Sequence, residues 1–194
     1  MMTATPNFNG WRAAVLSEED GNVERLKRQL VLLGMQVDVQ WEPLAPTELP
    51  EIIIVDADRG WDALLPWSIE APQRPVAALL GSEAPGRIAW AIRHGASAII
   101  PKPVASATVF PALVLAVSIH TERLAVQAKI AHLEERLRLR PVVFAAIARL
   151  QSERKVTEEQ AFAALRSTAM KRRLPMEQIA AAFLGGVDPL WEVG

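Results

Sequence analysis

The chain has 194 residues, 51% of them hydrophobic, enough to bury one or two cores and too apolar for wholesale disorder. It has no cysteine, which excludes disulfides, thiolate metal sites and cysteine nucleophiles, and its opening stretch MMTATPNFNG lacks the charged-then-apolar pattern of a signal peptide. The formal charge of −1 is unevenly spread: residues 136–173 hold ten Lys/Arg and three Asp/Glu, a local +7, leaving −8 for the remainder. Such a split points to a polyanion-binding end attached to an acidic module. No apolar run is read as reaching the roughly 20 residues that span a bilayer, so a cytoplasmic protein without membrane contact is expected.

The first hundred residues alternate strand and helix patterns. Ala13, Ala14, Val15 and Leu16 read as a strand, followed by the acidic turn Ser17-Glu18-Glu19-Asp20. A helix follows over residues 23–33 with Gly34 as C-cap, then a second strand at 36–39. Ile52, Ile53, Ile54 and Val55 form the clearest buried strand, closed by Asp56. Residues 76–80 give a fourth strand, 87–93 a helix capped by Gly95, and 98–100 a fifth strand. Apolar strands alternating with helices predict a parallel sheet covered on both faces. The segments around the third strand, WEPLAPTELP and GWDALLPWSIEAP, are short and rich in proline and tryptophan, leaving little room for full helices there.

This order, with Asp56 ending the third strand and Lys102-Pro103 following the fifth, resembles a response-regulator receiver. The resemblance implies an α/β flavodoxin-like, doubly wound, five-stranded parallel sheet. It also implies a pocket at the strand ends in which Asp56 is the phosphate acceptor, Lys102 neutralises its charge and the Lys-Pro bond is cis. Two positions depart from it. Ser17 and Glu18 stand where receivers place two magnesium-holding carboxylates, and Leu80 stands where a hydroxyl residue ends the fourth strand. The expected module, residues 1–110, is therefore a pseudo-receiver with the pocket Glu18, Asp56 and Lys102. It needs no cofactor, magnesium entering only if Asp56 is phosphorylated.

From Pro111 to Pro141 the chain holds no other proline and no glycine. Ala112, Ala116, Ile119, Arg123, Val126, Ile130, Leu133 and Leu137 follow a four-three spacing over more than three heptads, which predicts a coiled coil over residues 111–140. Ile119, Val126, Ile130, Leu133 and Leu137 are its expected dimer seam. The bland reading is one amphipathic helix packed on its own domain. Pro141 is expected to kink or restart the helix, which continues over 142–150.

Residues 141–194 read as a small basic helical module. Thr157 and Gln160 form a capping box, and Ala161, Phe162, Leu165 and Ala169 recur on one face. Lys171, Arg172 and Arg173 cluster at the end of that helix, Pro175 can open the next, and Gly185 can close it. Phe144 and Phe162 are expected in the core, leaving arginine and phosphate contacts to carry recognition. The pattern Ala161-Phe162, Leu165-Arg166, Ala169-Met170 and Ile179-Ala180, with the run AMKRR before a proline-led helix, resembles ANTAR domains, the RNA-binding modules of bacterial antiterminators, and among them the AmiR type. Ile147 stands where that family carries a lysine.

The resemblance implies a three-helix ANTAR module that binds hairpins in leader mRNA without catalysis, with Arg166 of the Leu-Arg pair as a contact; the basic stretch adds Arg140, Arg149, Lys171, Arg172 and Arg173 as expected RNA-binding residues. The resemblance also implies a ligand-sensing repressor protein (AmiC-like) as a partner, and the heptad seam a second copy in a homodimer. Two alternatives stand beside it: a regulator driven by phosphorylation of Asp56, and a DNA-binding or protein-docking regulator. His94, His120 and His132 are scattered over helices and make no catalytic or metal constellation, so no enzyme is expected.

Overall fold

The computed structural model describes residues 6–67 and 72–187, without the side chain of Arg136, the first cation of the basic stretch 136–173. Its first elements are β1 (Arg12–Leu16), α1 (Gly21–Leu32), β2 (Gln36–Gln40), β3 (Ile52–Asp56) and a 3-10 turn, Asp62–Leu64. They are followed by β4 (Val76–Leu80), α2 (Pro85–Arg93), β5 (Ala96–Pro101), α3 (Ser106–Arg154), α4 (Glu158–Arg172) and α5 (Met176–Leu184). The strands make one parallel sheet in the order β2-β1-β3-β4-β5, the doubly wound flavodoxin-like arrangement expected from the alternation of apolar runs.

Both sheet faces are buried, which explains why β3 and β4 read as unbroken apolar runs rather than alternating ones. Val15, Ile52, Ile54, Ala77 and Leu79 pack beneath α1 and the start of α3, against Leu26, Leu30, Val109 and Leu113. Leu16, Ile53, Val55, Val76 and Ala78 face the other way, against Trp90 of α2 and the loop residues Leu44, Leu64 and Leu65. Among the described residues there is no helix between β2 and β3, and only the 3-10 turn between β3 and β4. Loop side chains cover the sheet instead, with Trp41 and Trp61 in edge contact at 4.8 Å between ring centres. Gly60 is what lets the turn after β3 lie on α2, since a Cβ there would fall 2.2 Å from the Trp90 ring.

The chain divides into two compact units, Met1–Ala125 and Val126–Gly194, and α3 contributes to both. Two expectations fail along this helix. It does not restart at Pro141 but runs unbroken for 49 residues. An internal proline forfeits one backbone hydrogen bond and crowds the preceding turn. Val143, Ala146, Ile147 and Leu150 lie beyond it in the core of the second unit, and that burial outweighs the penalty. The helix also contains an 18-residue window of mean hydropathy 1.5, long and apolar enough by length and composition to cross a membrane. In this fold Val109, Ala112, Leu113 and Ala116 of α3 are spent on packing against the sheet.

In the second unit, Thr157 caps α4 and exchanges bonds with Gln160 in the expected capping box, 2.9 and 3.2 Å. Ala161, Leu165 and Ala169 of α4 pack with Ile179, Ala180 and Phe183 of α5 on Ala146 and Leu150.

Candidate functional site

Two places gather charged groups, one in each unit. The first lies at the carboxyl ends of β1, β3 and β5, where a parallel sheet leaves a crevice. Asp56 ends β3 and is buried. Its Oδ2 meets Lys102 Nζ at 2.8 Å and accepts from Ser17 Oγ at 3.3 Å, while its Oδ1 accepts from the Asp58 N–H at 3.0 Å. The Lys102-Pro103 bond is cis, as the receiver resemblance implied.

Glu18, the third residue expected in this pocket, is exposed and pairs with the Arg59 guanidinium. Asp20, at the end of that turn, accepts from Asn22 N and Val23 N, both at 2.8 Å, as the N-cap of α1. Leu80 is buried and offers only its backbone, whose carbonyl accepts from Lys102 N at 2.9 Å.

Asp58 is the group that sequence reading missed. Its carboxylate also holds Lys102, at 3.0 Å, so one ammonium serves two aspartates. The Asp-x-Asp spacing was the available signal. Burial pulls the Lys102 ammonium downward, but its bonds to Asp56 and Asp58 outweigh that and raise it above its ordinary value. For Asp58, burial pushes the carboxyl upward, and the bonds from Lys102 and the Gly81 and Ser82 N–H groups leave it below its ordinary value.

Magnesium, which the receiver fold implies, asks for an octahedron of oxygen ligands. The residues present do not fit it. Ser17 replaces one carboxylate, Glu18 is held by Arg59, and both oxygens of Asp58 are engaged. Among the described residues no group of three or more His, Asp or Glu is placed to hold a metal.

The second place is the surface of the Val126–Gly194 unit. Arg140, Arg166, Lys171, Arg172 and Arg173 are exposed, the last three where α4 ends and Arg173 takes a left-handed conformation at φ 54°. Arg149 is placed differently. It pairs with Glu153 at 2.6 Å, donates to the Leu184 carbonyl at the end of α5 at 3.1 Å, and lies 5.3 Å over the Phe183 ring. Its guanidinium ties α3 to α5. Ile147 is buried in the same core, so the aligned lysine position faces inward in this chain.

Phe144 and Phe162, expected in the core, are 64% and 41% exposed. They line a groove of about 970 Å³ together with Arg140 and Ile147, with Glu158 and Glu159 on its wall. On α4, Phe162, Arg166 and Met170 recur at intervals of four residues, which places them along one face, and Arg173 follows as the left-handed cap of the helix. Met170 is 70% exposed. The helix thus presents alternating apolar and cationic side chains to solvent, the surface that splayed bases and phosphates require. The seam residues Val126, Ile130, Leu133 and Leu137 are all exposed, whereas Ile119, in the first unit, is half-buried.

The sequence pattern of the ANTAR domain matches residues 131–184, and that of the AmiR amino-terminal domain matches residues 11–117, more than half of the chain. The chain belongs to the ANTAR family of transcription antitermination regulators. Among its relatives is the transcriptional regulatory protein PdtaR of Mycobacterium tuberculosis, 33% identical over 147 residues, which span 73% of this chain and 70% of that one. Another is the aliphatic amidase regulator of Pseudomonas aeruginosa, 29% identical over 168 residues, or 84% and 85% of the two chains. The response regulator StyR, 16% identical with a TM-score of 0.51 over 94% of this chain and 99% of its own, shares the fold. As an ANTAR regulator with an AmiR-type amino-terminal domain, the chain joins a receiver-like sheet to a helical module, as the sequence implied.

Proposed function

We propose that this ANTAR regulator binds hairpins in a nascent leader RNA and thereby keeps a terminator from forming. The observation that carries this reading is the exposed α4 face of Phe162, Arg166 and Met170, running into the Lys171 and Arg172 end of the helix and its Arg173 cap. Protein and RNA make no covalent change in this scheme; one RNA fold is bound better than its rival, and the population shifts accordingly. Residues 1–110 act as the pseudo-receiver, 111–140 as the dimerisation helix and 141–194 as the RNA-binding module. A ligand-sensing repressor protein docks on the regulator and withholds it until its ligand is present, a reading supported by likeness to the aliphatic amidase regulator. The deciding experiment measures binding of the full chain to the leader RNA of its own operon across a salt series. Absence of salt-sensitive binding sinks the function.

The pocket chemistry supports regulation without phosphorylation. Incubation with acetyl phosphate and magnesium is expected to leave the protein's mass unchanged, because the carboxylates near Asp56 are already committed. Stoichiometric gain of a phosphoryl group would restore the phosphorylation-driven reading.

Dimerisation rests on the seam. Leu133 and Leu137 are exposed in the single chain, so changing both to glutamate leaves the fold intact while placing charges in the paired interface. Light scattering is expected to show the native chain as a dimer and the double variant as a monomer. A variant that keeps the dimer mass excludes this seam.

A further inference from the structure

The three donors around Asp58 form a site in their own right. Gly81 N–H donates to Asp58 Oδ2 at 2.8 Å, Ser82 N–H donates to Oδ1 at 2.9 Å, and Lys102 Nζ meets Oδ2 at 3.0 Å. Successive backbone N–H groups converging on one anion make a concavity that binds oxyanions through fixed dipoles, and a nearby ammonium adds full charge. The arrangement depends on glycine at position 81. A Cβ there would sit 3.3 Å from Asp58 Oδ2 and 3.3 Å from Lys102 Cβ, tighter than ordinary contact, so a side chain would push on the anion and the cation together.

The occupant comes from a different strand end. Asp58 lies two residues beyond Asp56, whose Oδ1 receives the Asp58 N–H, and its side chain reaches across to the loop after β4. Three donors serve its two oxygens, and its carboxyl is held below the ordinary range by them. An aspartate that merely closed its own turn would satisfy local N–H groups. This one is spent wholly on donors from β4's end and the residue after β5.

We propose that Gly81 N–H, Ser82 N–H and the Lys102 ammonium constitute an oxyanion-binding site whose resident ligand is the Asp58 carboxylate, so that an external oxyanion enters only when Asp58 is displaced or removed. The receiver-like unit is then filled from within, its strand-end loops held in one arrangement by a ligand that never leaves the chain. A partner that draws Asp58 out would open the site.

The test is chemical rescue of the full chain carrying Asp58→Ala, read at the Gly81 and Ser82 amides by NMR and by thermal unfolding. Formate is the primary probe, because it carries the missing carboxylate's charge, and sodium chloride at equal ionic strength is the control. In the native chain both amides are expected to ignore formate. In Asp58→Ala they should shift saturably over the millimolar range, with the lowered Tm partly restored, and Asp58→Ala combined with Lys102→Ala should lose the response. Inorganic phosphate in a parallel series reads whether the site takes a phosphate or only a carboxylate beside Asp56; a shift in either series of Asp58→Ala supports the site. Should Asp58→Ala fail to fold, Asp58→Ser also removes the carboxylate and leaves room in the site, and its amides should still respond to formate. A variant whose amides answer to neither anion, or answer equally to chloride, overturns the proposal. RNA binding does not enter this readout, so failure of the proposed function leaves it standing.

Discussion

Replacing Lys171, Arg172 and Arg173 together by alanine is expected to weaken leader-RNA binding about 100-fold in about 0.1 M salt. Each phosphate contact to single-stranded RNA contributes about 0.7 to the slope of log affinity against log salt, so at that salt one contact is worth roughly fivefold and three about a hundredfold. The same variant should show a slope shallower by about 2, because fewer counterions are released when it binds. All three side chains are exposed at the end of α4, outside the core formed by Ala161, Leu165 and Ala169, so the fold should survive the change. The cations also oppose the helix dipole favourably, and their loss costs at most about 1 kcal/mol each. A stripe that reads RNA through both charge and stacking makes a second demand. Phe162→Ala should remove roughly 1–3 kcal/mol of binding with the salt slope unchanged, since stacking releases no counterions. If the triple alanine variant binds like the native chain, the RNA surface lies elsewhere on the module.

What could be read in the residues followed from how local the cause was. β3 and β4 announce themselves because burial on both faces demands apolar residues at every position, as in Ile52, Ile53, Ile54 and Val55. The α4 capping box is likewise written in Thr157 and Gln160 alone. Pro141 misled because its local penalty is real and only the tertiary packing of Val143 to Leu150 reveals that it is overcome. Phe144 and Phe162 misled for the opposite reason: aromatic residues at helical spacing fit a core stripe, and exposure is a property of the assembled bundle. Ile147 is where the two levels meet. The family's lysine is absent, and the reason lies in the core that Ile147 helps fill. Arg149 was legible as a cation but not as a strut, since its partners Phe183 and Leu184 are more than thirty residues away. Asp58 likewise depends on partners distant in the chain, Gly81, Ser82 and Lys102, which only the closing of the sheet brings together.

Lys102→Met should destabilise the receiver-like unit by about 3 kcal/mol at pH 7, the lower end of the cost of removing one partner from a buried ion pair. Two carboxylates depend on this ammonium, Asp56 at 2.8 Å and Asp58 at 3.0 Å, so its loss leaves a pair of like charges facing each other. The pH dependence distinguishes this cause from lost packing. In the native chain, Asp58 has a folded value below its ordinary 3.8, so its contribution is fully present above that value and is lost as pH falls through the lowered one. Lys102 has a folded value above its ordinary 10.5, so its contribution is fully present below 10.5 and is lost as pH rises through the raised one. Between about pH 5 and 10 Asp58 and Lys102 therefore add no slope. In Lys102→Met, sharing a proton between the carboxylates relieves their repulsion, so the folded state takes up protons that the unfolded chain does not. Stability of the variant should rise as pH falls from 7 to 5, opposite to ordinary acid destabilisation. Five of the six tryptophans lie in the Met1–Ala125 unit, so denaturant titrations followed by tryptophan fluorescence at the two pH values report on it directly. A variant that loses stability but shows no such pH slope would mean that Lys102 matters for its packed stem and not for holding two aspartates in one pocket.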